Sequence, residues 1–145
     1  MNACTEDIKD ILVTAPNTYK FSDGSDFSIY IGKEPDRPDK CITLYDTGGP
    51  QDDNVMDQSA KTMRHSSFQV RVRGKNYKNV RLQLKKVDKI INRIGSFTAT
   101  AEDSSETNDT RYSDIFRQGD LMWLEQDDND RHIWIANYQA HRKEK

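Results

Sequence analysis

The sequence is poor in cysteine and has no long apolar run. Its two cysteines, Cys4 and Cys41, are too few for a disulfide framework or a cysteine-based metal site, so we expect both to be reduced. No apolar stretch is longer than about four residues, far short of the ~20 that cross a bilayer, and no basic segment followed by an apolar one opens the chain. We therefore expect neither a membrane span nor a signal peptide, and synthesis in the cytosol.

Apolar residues are also scarce. They make up 34% of the 145 residues, whereas charged residues make up 32%. The apolar side chains nevertheless recur in periodic blocks, which is typical of a folded chain. This length suits one domain, residues 1–145, that folds without disulfides or metal. A thin core of this kind fits a subunit that completes its burial against neighbours, and it fits an ordinary small polar domain equally well.

Signals for metal or cofactor binding are missing as well. The three histidines have neither the mutual spacing of metal ligands nor a carboxylate motif around them. Gly32-Lys33 is followed by glutamate and has no upstream glycine, so it is not a phosphate-binding loop. We predict no cofactor, no metal ligands and no catalytic residues.

One motif does look catalytic. Asp46-Thr47-Gly48 matches the core of aspartic proteases, and a chain this short would need a homodimer to supply the second aspartate. A strand that ends in Asp-Thr-Gly-Gly is also ordinary turn chemistry. In that structural interpretation Gly48 and Gly49 supply unusual backbone angles, and Asp46 accepts from backbone donors in the turn. The protease is kept as a remote alternative.

The strand and helix at residues 67–95 show the plan of the chain most clearly. Apolar and polar residues alternate from Phe68 to Arg73, which predicts a strand with one buried face. From Asn76, a candidate N-cap, apolar residues at helical spacing predict a helix that Gly95 ends. A row of cations lies largely off this stripe, so the helix is expected to lie against a sheet.

Similar patterns predict the remaining elements. Residues 5–15 have helical spacing, with Thr5 as candidate N-cap and Pro16 as the stop. Further strands are predicted at 27–31, 41–46, 97–101, 112–116, 121–126 and 133–140. A hairpin turn at 127–130 joins the last two strands. The predicted fold class is α+β, a mainly antiparallel β-sheet flanked by two α-helices.

Two loops and an uneven charge distribution complete the pattern. Residues 47–66 form a long loop that should be functional or mobile, and residues 102–110 form an acidic loop that should be exposed. Residues 71–93 are basic and residues 102–130 are acidic, which permits head-to-tail contact between copies of the chain. Solvated faces explain the same pattern. A DNA-binding helix is a further alternative, although the pI of about 5.9 and the lack of a recognised motif argue against it.

Three segments, in this order, resemble a known family. They are IGKEPDRPDKCITLYDTGG at residues 31–49, FQVRVRGKNY at residues 68–77, and residues 128–137, which contain Arg131 and Ile133. They are similar to the minor capsid and tail terminator proteins of long-tailed, siphovirus-type bacteriophages. The resemblance spans nearly the whole chain.

The resemblance implies a structural virion protein without enzymatic activity. Such proteins form a ring, usually a hexamer, that caps the tail tube, stops its polymerisation and provides the attachment surface for the head connector. The implied partners are other copies of the chain, the tail tube protein and the head-side neck proteins, while DNA passes through the lumen without specific binding. The implied location is the tail–neck junction of the virion, after synthesis in the host cytoplasm. A head-completion or stopper-type neck protein is the alternative role.

With that ring in view, we expect the subunit interface to draw on the loop at 47–66, the polar face of the strand at 68–73 and the cationic helix. Arg71 and Arg73 should form carboxylate pairs, either between subunits or within one, unless their strand face is merely solvated. Arg131 should pair with Asp128 or Asp130. The predicted interface residues are Asp46, Gly48, Gly49, Asp52, Asp53, Met56, Arg64, Arg71, Arg73, Arg81 and Lys85.

Overall fold

The computed structural model describes residues 2–14, 19–24, 26–52, 62–100 and 109–144. Within these residues two helices and six strands follow one another along the chain. They are α1 (Cys4–Val13), β1 (Ser28–Ile31), β2 (Cys41–Asp46), β3 (Arg64–Gly74), α2 (Tyr77–Ile91), β4 (Phe97–Ala99), β5 (Thr110–Gln126) and β6 (His132–Glu144).

The strands form one sheet in the order β1-β2-β3-β6-β5-β4. Only the pair β1 and β2 is parallel, and every other pair of neighbours is antiparallel. The predicted α+β class with a mainly antiparallel sheet is therefore confirmed. At the β1 edge, the segment before the strand folds back onto it, because Ile29 N donates to Lys20 O and Ser22 N donates to Ile29 O, both at 2.8 Å.

Both helices pack on the same face of this sheet. The apolar stripe of α1 and that of α2 meet the inward side chains of the strands in one core. The stripe of α2 follows the predicted spacing, with Val80, Leu84, Val87 and Ile91 fully buried. Asn76 caps this helix as predicted, since its side-chain oxygen accepts from Asn79 N at 3.0 Å.

The helix ends differ from the prediction in two places. The helix α2 ends at Ile91 with Asn92 as its C-cap, so Gly95 is not the cap that the sequence suggested. The helix α1 starts one residue before Thr5, and Ala3 occupies the N-cap position, where Ala3 N donates to the Glu6 carboxylate at 2.9 Å. Thr5 is instead fully buried. Pro16 lies outside the described residues.

The strands β3, β5 and β6 are longer than their periodicity predicted, β2 has the predicted bounds, and β1 and β4 are shorter than the predicted 27–31 and 97–101. The strand β3 begins at Arg64, so it takes in the last three residues of the predicted loop at 47–66. The predicted strands at 112–116 and 121–126 are one strand, β5, which begins at Thr110. Thr110, the last residue of the predicted exposed loop, is buried, and residues 102–108 of that loop lie outside the described residues. The register of β5 against β6 shifts between Gln118 and Met122. Such a bulge lets one strand continue through Gly119, whose φ is 78°.

The predicted hairpin between β5 and β6 is present. Asp127 N donates to Arg131 O at 2.9 Å, and Asp130 N donates to Asp127 O at 3.0 Å. Asp130 has a φ of 57°, a conformation that aspartate tolerates better than most residues. The turn therefore places the following strand, β6, beside β5, and the other edge of β6 pairs with β3.

Candidate functional site

The predicted interface residues lie in three places on the molecule. Asp53 and Met56 fall outside the described residues. The first place is an open cleft beside the ends of β2 and β3, which brings five of the predicted residues together. They are Asp46, Gly48, Gly49, Asp52 and Arg64.

In this cleft Asp46 is bound to α1 rather than to its own turn. Its Oδ2 accepts from the Thr5 hydroxyl at 2.6 Å, and its Oδ1 accepts from Thr5 N at 3.4 Å. The prediction that Asp46 accepts from donors in the turn is therefore wrong, since the donors belong to Thr5. A carboxylate beside a helix N-terminus is favoured by the helix dipole. Both oxygens thus have a structural use within the subunit, which favours the structural interpretation of the motif.

The two glycines of the cleft serve different purposes. Gly48 has a φ of 68°, as the turn interpretation predicted. Gly49 has no positive φ, so the predicted unusual backbone angle is wrong there. Gly49 is instead required for close approach, because a Cβ there would lie 1.5 Å from the backbone oxygen of His65. Across the cleft, Arg64 Nε lies 3.8 Å from the Asp52 carboxylate, and both side chains are about half exposed. The cleft is thus closely packed at Gly49 and polar at its mouth.

The second place is the outer face of the sheet, where Arg73 is buried by the chain segment at residues 34–39. Its side chain is 3% exposed and lies 3.6 Å from the Glu34 carboxylate. It donates to the backbone oxygens of Pro35 at 2.6 Å, Pro38 at 2.9 Å, and Asp36 and Asp39 at 3.3 Å. Of the two pairings expected for Arg73, the intramolecular one describes it.

Arg71 occupies the same face two residues earlier and is more open. Its guanidinium lies 3.5 Å from Glu34 and 3.8 Å from Glu125, and its side chain is 23% exposed. These carboxylates belong to the same subunit. Arg71 therefore keeps a partly solvated surface, unlike Arg73.

A second buried guanidinium closes this outer layer. Arg131 donates to the Asp127 carboxylate at 2.7 Å and to Asp36 O at 2.6 Å, so the predicted partners Asp128 and Asp130 are wrong. Burial favours neutral Asp127, but hydrogen bonds from Arg131 and Asn129 outweigh burial and hold its pKa below the usual value. Arg73 and Arg131 together bind one loop to the sheet and its hairpin.

The third place is α2, which carries Arg81 and Lys85 on its surface. The Arg81 guanidinium lies 5.6 Å from the ring centroid of Trp134, within range of a cation–π contact. Lys85 is exposed, and no ion pair joins it to another described residue. These two residues thus face solvent, unlike Arg73.

Two buried carboxylates that the sequence analysis did not single out bind the helices to the sheet. Asp7 on α1 accepts from the Tyr112 hydroxyl at 2.5 Å, and burial raises the pKa of Asp7. Asp88 on α2 accepts from the Tyr138 hydroxyl and from Arg117, each at 2.7 Å. The signal in the sequence is an acidic residue next to the apolar stripe of each helix.

An exposed apolar segment on β5 is a further candidate that was not predicted from the sequence. Met122 and Trp123 are each 47% exposed, and Leu124 is 45% exposed. The signal was available, because the run from Leu121 to Leu124 breaks the alternation of a half-buried strand. This segment is a candidate contact surface.

No cluster of three or more histidine, cysteine, aspartate or glutamate side chains that could hold a metal occurs among the described residues. Both cysteines are buried and free, and burial raises the pKa of Cys4 to about 11, which disfavours the reactive thiolate. None of the helices in the described part of the chain is long and apolar enough to span a membrane.

The described residues form an α+β fold in which Asp46 of the Asp-Thr-Gly motif is bonded to Thr5 of the same subunit. The family model for bacteriophage tail terminator proteins matches residues 5–144, nearly the whole chain, so the chain belongs to the bacteriophage tail terminator family. The expected resemblance is confirmed. The protein is thus a structural protein of the phage tail and virion that assembles at the tail–head junction, in a family that is generally non-enzymatic. No curated protein matches the chain.

Proposed function

We propose that this protein is the terminator of a long, siphovirus-type phage tail. Its copies form a ring of about six subunits that caps the tail tube, stops tube polymerisation and presents the attachment surface for the head connector. The protein is made in the host cytoplasm and enters the virion at the junction of tail and neck. The family match over residues 5–144 carries this proposal.

The surface of the subunit supports assembly into a ring. Seven large apolar side chains are exposed among the described residues, and four of them lie on β5. Burial of such side chains between neighbouring subunits would add to a core that is thin for the chain length. A closed ring of more than two subunits requires two different surfaces on each subunit, which a chain with its basic and acidic residues in separate stretches, 71–93 and 102–130, can supply.

The cleft beside β2 and β3 is our proposed place for contacts of the loop at 47–66. The described flanks of that loop, residues 47–52 and 62–66, both reach the cleft. Asp52 and Arg64 are half exposed there and have a weak mutual ion pair, so an adjacent subunit or the tube could exchange it for its own pair at little cost.

The molecular mass of the purified protein, alone and mixed with tail tube protein, tests this proposal. We expect a ring of about six subunits, formed either by the protein alone or on the tube. A monomer that ignores tubes would contradict the terminator and favour the head-side neck protein. A stable dimer would instead revive the aspartic protease, which Asp46→Asn would then test through the loss of a cleavage.

A further inference from the structure

Two surfaces of this subunit carry exposed apolar side chains among charges of opposite sign. The first, the β5 edge patch, combines an apolar segment with acidic residues. It comprises Asp120, Met122, Trp123, Leu124, Glu125 and Asp128. The second, the α2 ridge, combines one leucine with lysines. It comprises Lys78, Leu82, Lys85 and Lys89.

The β5 edge patch lies on a strand whose outer side is open within the described part of the chain. The short strand β4 pairs with β5 only as far as Tyr112, so no described strand lies beyond residues 113–126. The acidic side chains are accessible, since those of Asp120 and Glu125 are 90% and 57% exposed. An open strand edge with three consecutive exposed apolar residues is a surface that proteins usually cover.

The α2 ridge runs along the side of the helix that faces away from the sheet. Its members follow one another at intervals of four, three and four residues, which aligns them along one line of the helix. Leu82 is 55% exposed, the largest value among the exposed apolar side chains. No ion pair joins the three lysines to another described residue, so their charges are available to a partner.

We propose that the α2 ridge of one copy docks on the β5 edge patch of the next copy. Three lysines then face three acidic residues, and Leu82 contacts the apolar segment at Trp123. The ridge from Lys78 to Lys89 is about 16 Å long at the rise of a helix, and an extended strand covers a similar length in five residue steps, as from Asp120 to Glu125. The inference rests on the proposed ring and names the surfaces that close it.

A second copy of the chain is the occupant because each copy carries both halves of the contact. The two surfaces differ, so the contact is heterologous and leaves one of each free on every added copy until the ring closes. Continuation of the sheet through β1 is disfavoured, because Lys20 and Ser22 already bond to the outer side of Ile29. Opposite charge also favours contact of the α2 ridge with the β5 edge patch over contact between two α2 ridges or between two β5 edge patches.

Charge reversal on each surface tests the contact. One variant carries Asp120→Lys and Asp128→Lys, and the other carries Lys85→Glu and Lys89→Glu. Each variant alone brings like charges together and should associate about 100-fold more weakly than the wild type. A 1:1 mixture should restore rings in which the two variants alternate, because the native ridge of one variant then meets the native patch of the other, and the two reversed surfaces meet with opposite charge. Native mass spectrometry reads both results, with and without tail tube protein.

The outcomes separate the contact from the ring. Restoration in the mixture supports the proposal and shows that both variants are folded. If both variants still form rings like those of the wild type, this contact is overturned. It is also overturned if the wild type forms rings but neither the variants nor their mixture does. In both cases the proposed ring itself stands. The absence of wild-type rings, with and without tubes, overturns both proposals.

A matched pair of aromatic substitutions tests the apolar part. Trp123 and Phe21 are 47% and 48% exposed, but Phe21 lies at the β1 end of the sheet. Trp123→Ser should weaken association at least about 10-fold, whereas Phe21→Ser should leave it unchanged. Equal effects of the two substitutions would contradict the proposed contact. As a charge control, Lys33→Glu with Arg37→Glu alters the net charge as the α2 variant does, but on a separate loop, and should not prevent assembly.

Discussion

Arg73 and Lys85 carry the same charge and were assigned to the same predicted interface, yet the fold uses them in opposite ways. Arg73 is 3% exposed and donates to four backbone oxygens of its own chain, whereas Lys85 faces solvent. The cause is what covers each element, because a loop covers the outer face of β3 and no described element covers the outer side of α2. Polar periodicity therefore identifies a non-core face without showing whether that face meets water, a loop or a partner.

Removal of the buried arginine should have the largest effect. Arg73→Ala leaves several backbone oxygens and Glu34 without their donor, so we expect the free energy of unfolding to fall by about 3 kcal/mol or more. Urea unfolding followed by circular dichroism measures the change. Arg73→Lys should recover part of the loss, since a lysine keeps the charge but cannot reach all four oxygens. If Arg73→Ala lowered the free energy of unfolding by less than about 1 kcal/mol, Arg73 would contribute little more to stability than the exposed Lys85, and the difference assigned to the two residues would be wrong.

The hydroxyl of Tyr138 tests whether the buried carboxylate of Asp88, like the guanidinium of Arg73, stabilises the subunit through a hydrogen bond within its own chain. Tyr138→Phe deletes the hydrogen bond to Asp88 under α2 and should cost about 2 kcal/mol of unfolding free energy. Tyr77→Phe is the matched control, because Tyr77 is 45% exposed, and its hydroxyl should be worth less than about 0.5 kcal/mol. If both substitutions changed the melting midpoint equally, the Asp88 anchor would have no special role.

The pH dependence of stability tests whether Asp7, unlike the solvent-exposed Lys85, is an ionisable group buried within the subunit. Burial raises the pKa of Asp7 in the folded state above the usual value of 3.8. Its stabilising contribution is therefore fully present below that pH and is lost as the pH rises through the raised pKa. Relative to Asp7→Asn, the wild type should lose unfolding free energy as the pH rises from 3 to 7. A difference that moved in favour of the wild type over that range would contradict the assigned direction.

The smallest effect on stability is expected on the α2 ridge. Lys85→Ala should change the unfolding free energy of the subunit by no more than about 0.5 kcal/mol, because the lysine side chain is exposed and both lysine and alanine are good helix formers. Chemical unfolding at a concentration where the protein is monomeric provides the measurement. A loss of more than about 1 kcal/mol there would mean that Lys85 has an intramolecular role like that of Arg73.

Much of the fold could be predicted because periodicity and caps report local structure. The stripe of α2, its Asn76 cap, the strand β2 and the hairpin turn before β6 all follow from residue spacing. The sequence did not predict that two of the expected strands form the single strand β5. A glycine within an apolar pattern usually indicates the end of a strand, whereas Gly119 lies in the register shift between Gln118 and Met122, through which β5 continues.

The candidate site was less predictable because contacts with distant segments decide exposure. The burial of Arg73 depends on a loop some 35 residues earlier in the chain, which no local pattern encodes. The family resemblance found from residues 31–49 and 68–77 is confirmed over residues 5–144, since it rests on order along the chain rather than on exposure. The subunit interface itself stays a prediction.

The length of tails made without this protein tests the central claim most directly. Electron microscopy of particles from a phage lacking the gene should show tails of variable and excessive length, unattached to heads, and supply of the intact gene should restore one length. Tails of normal, uniform length in the deletion phage would contradict a terminator that stops tube polymerisation.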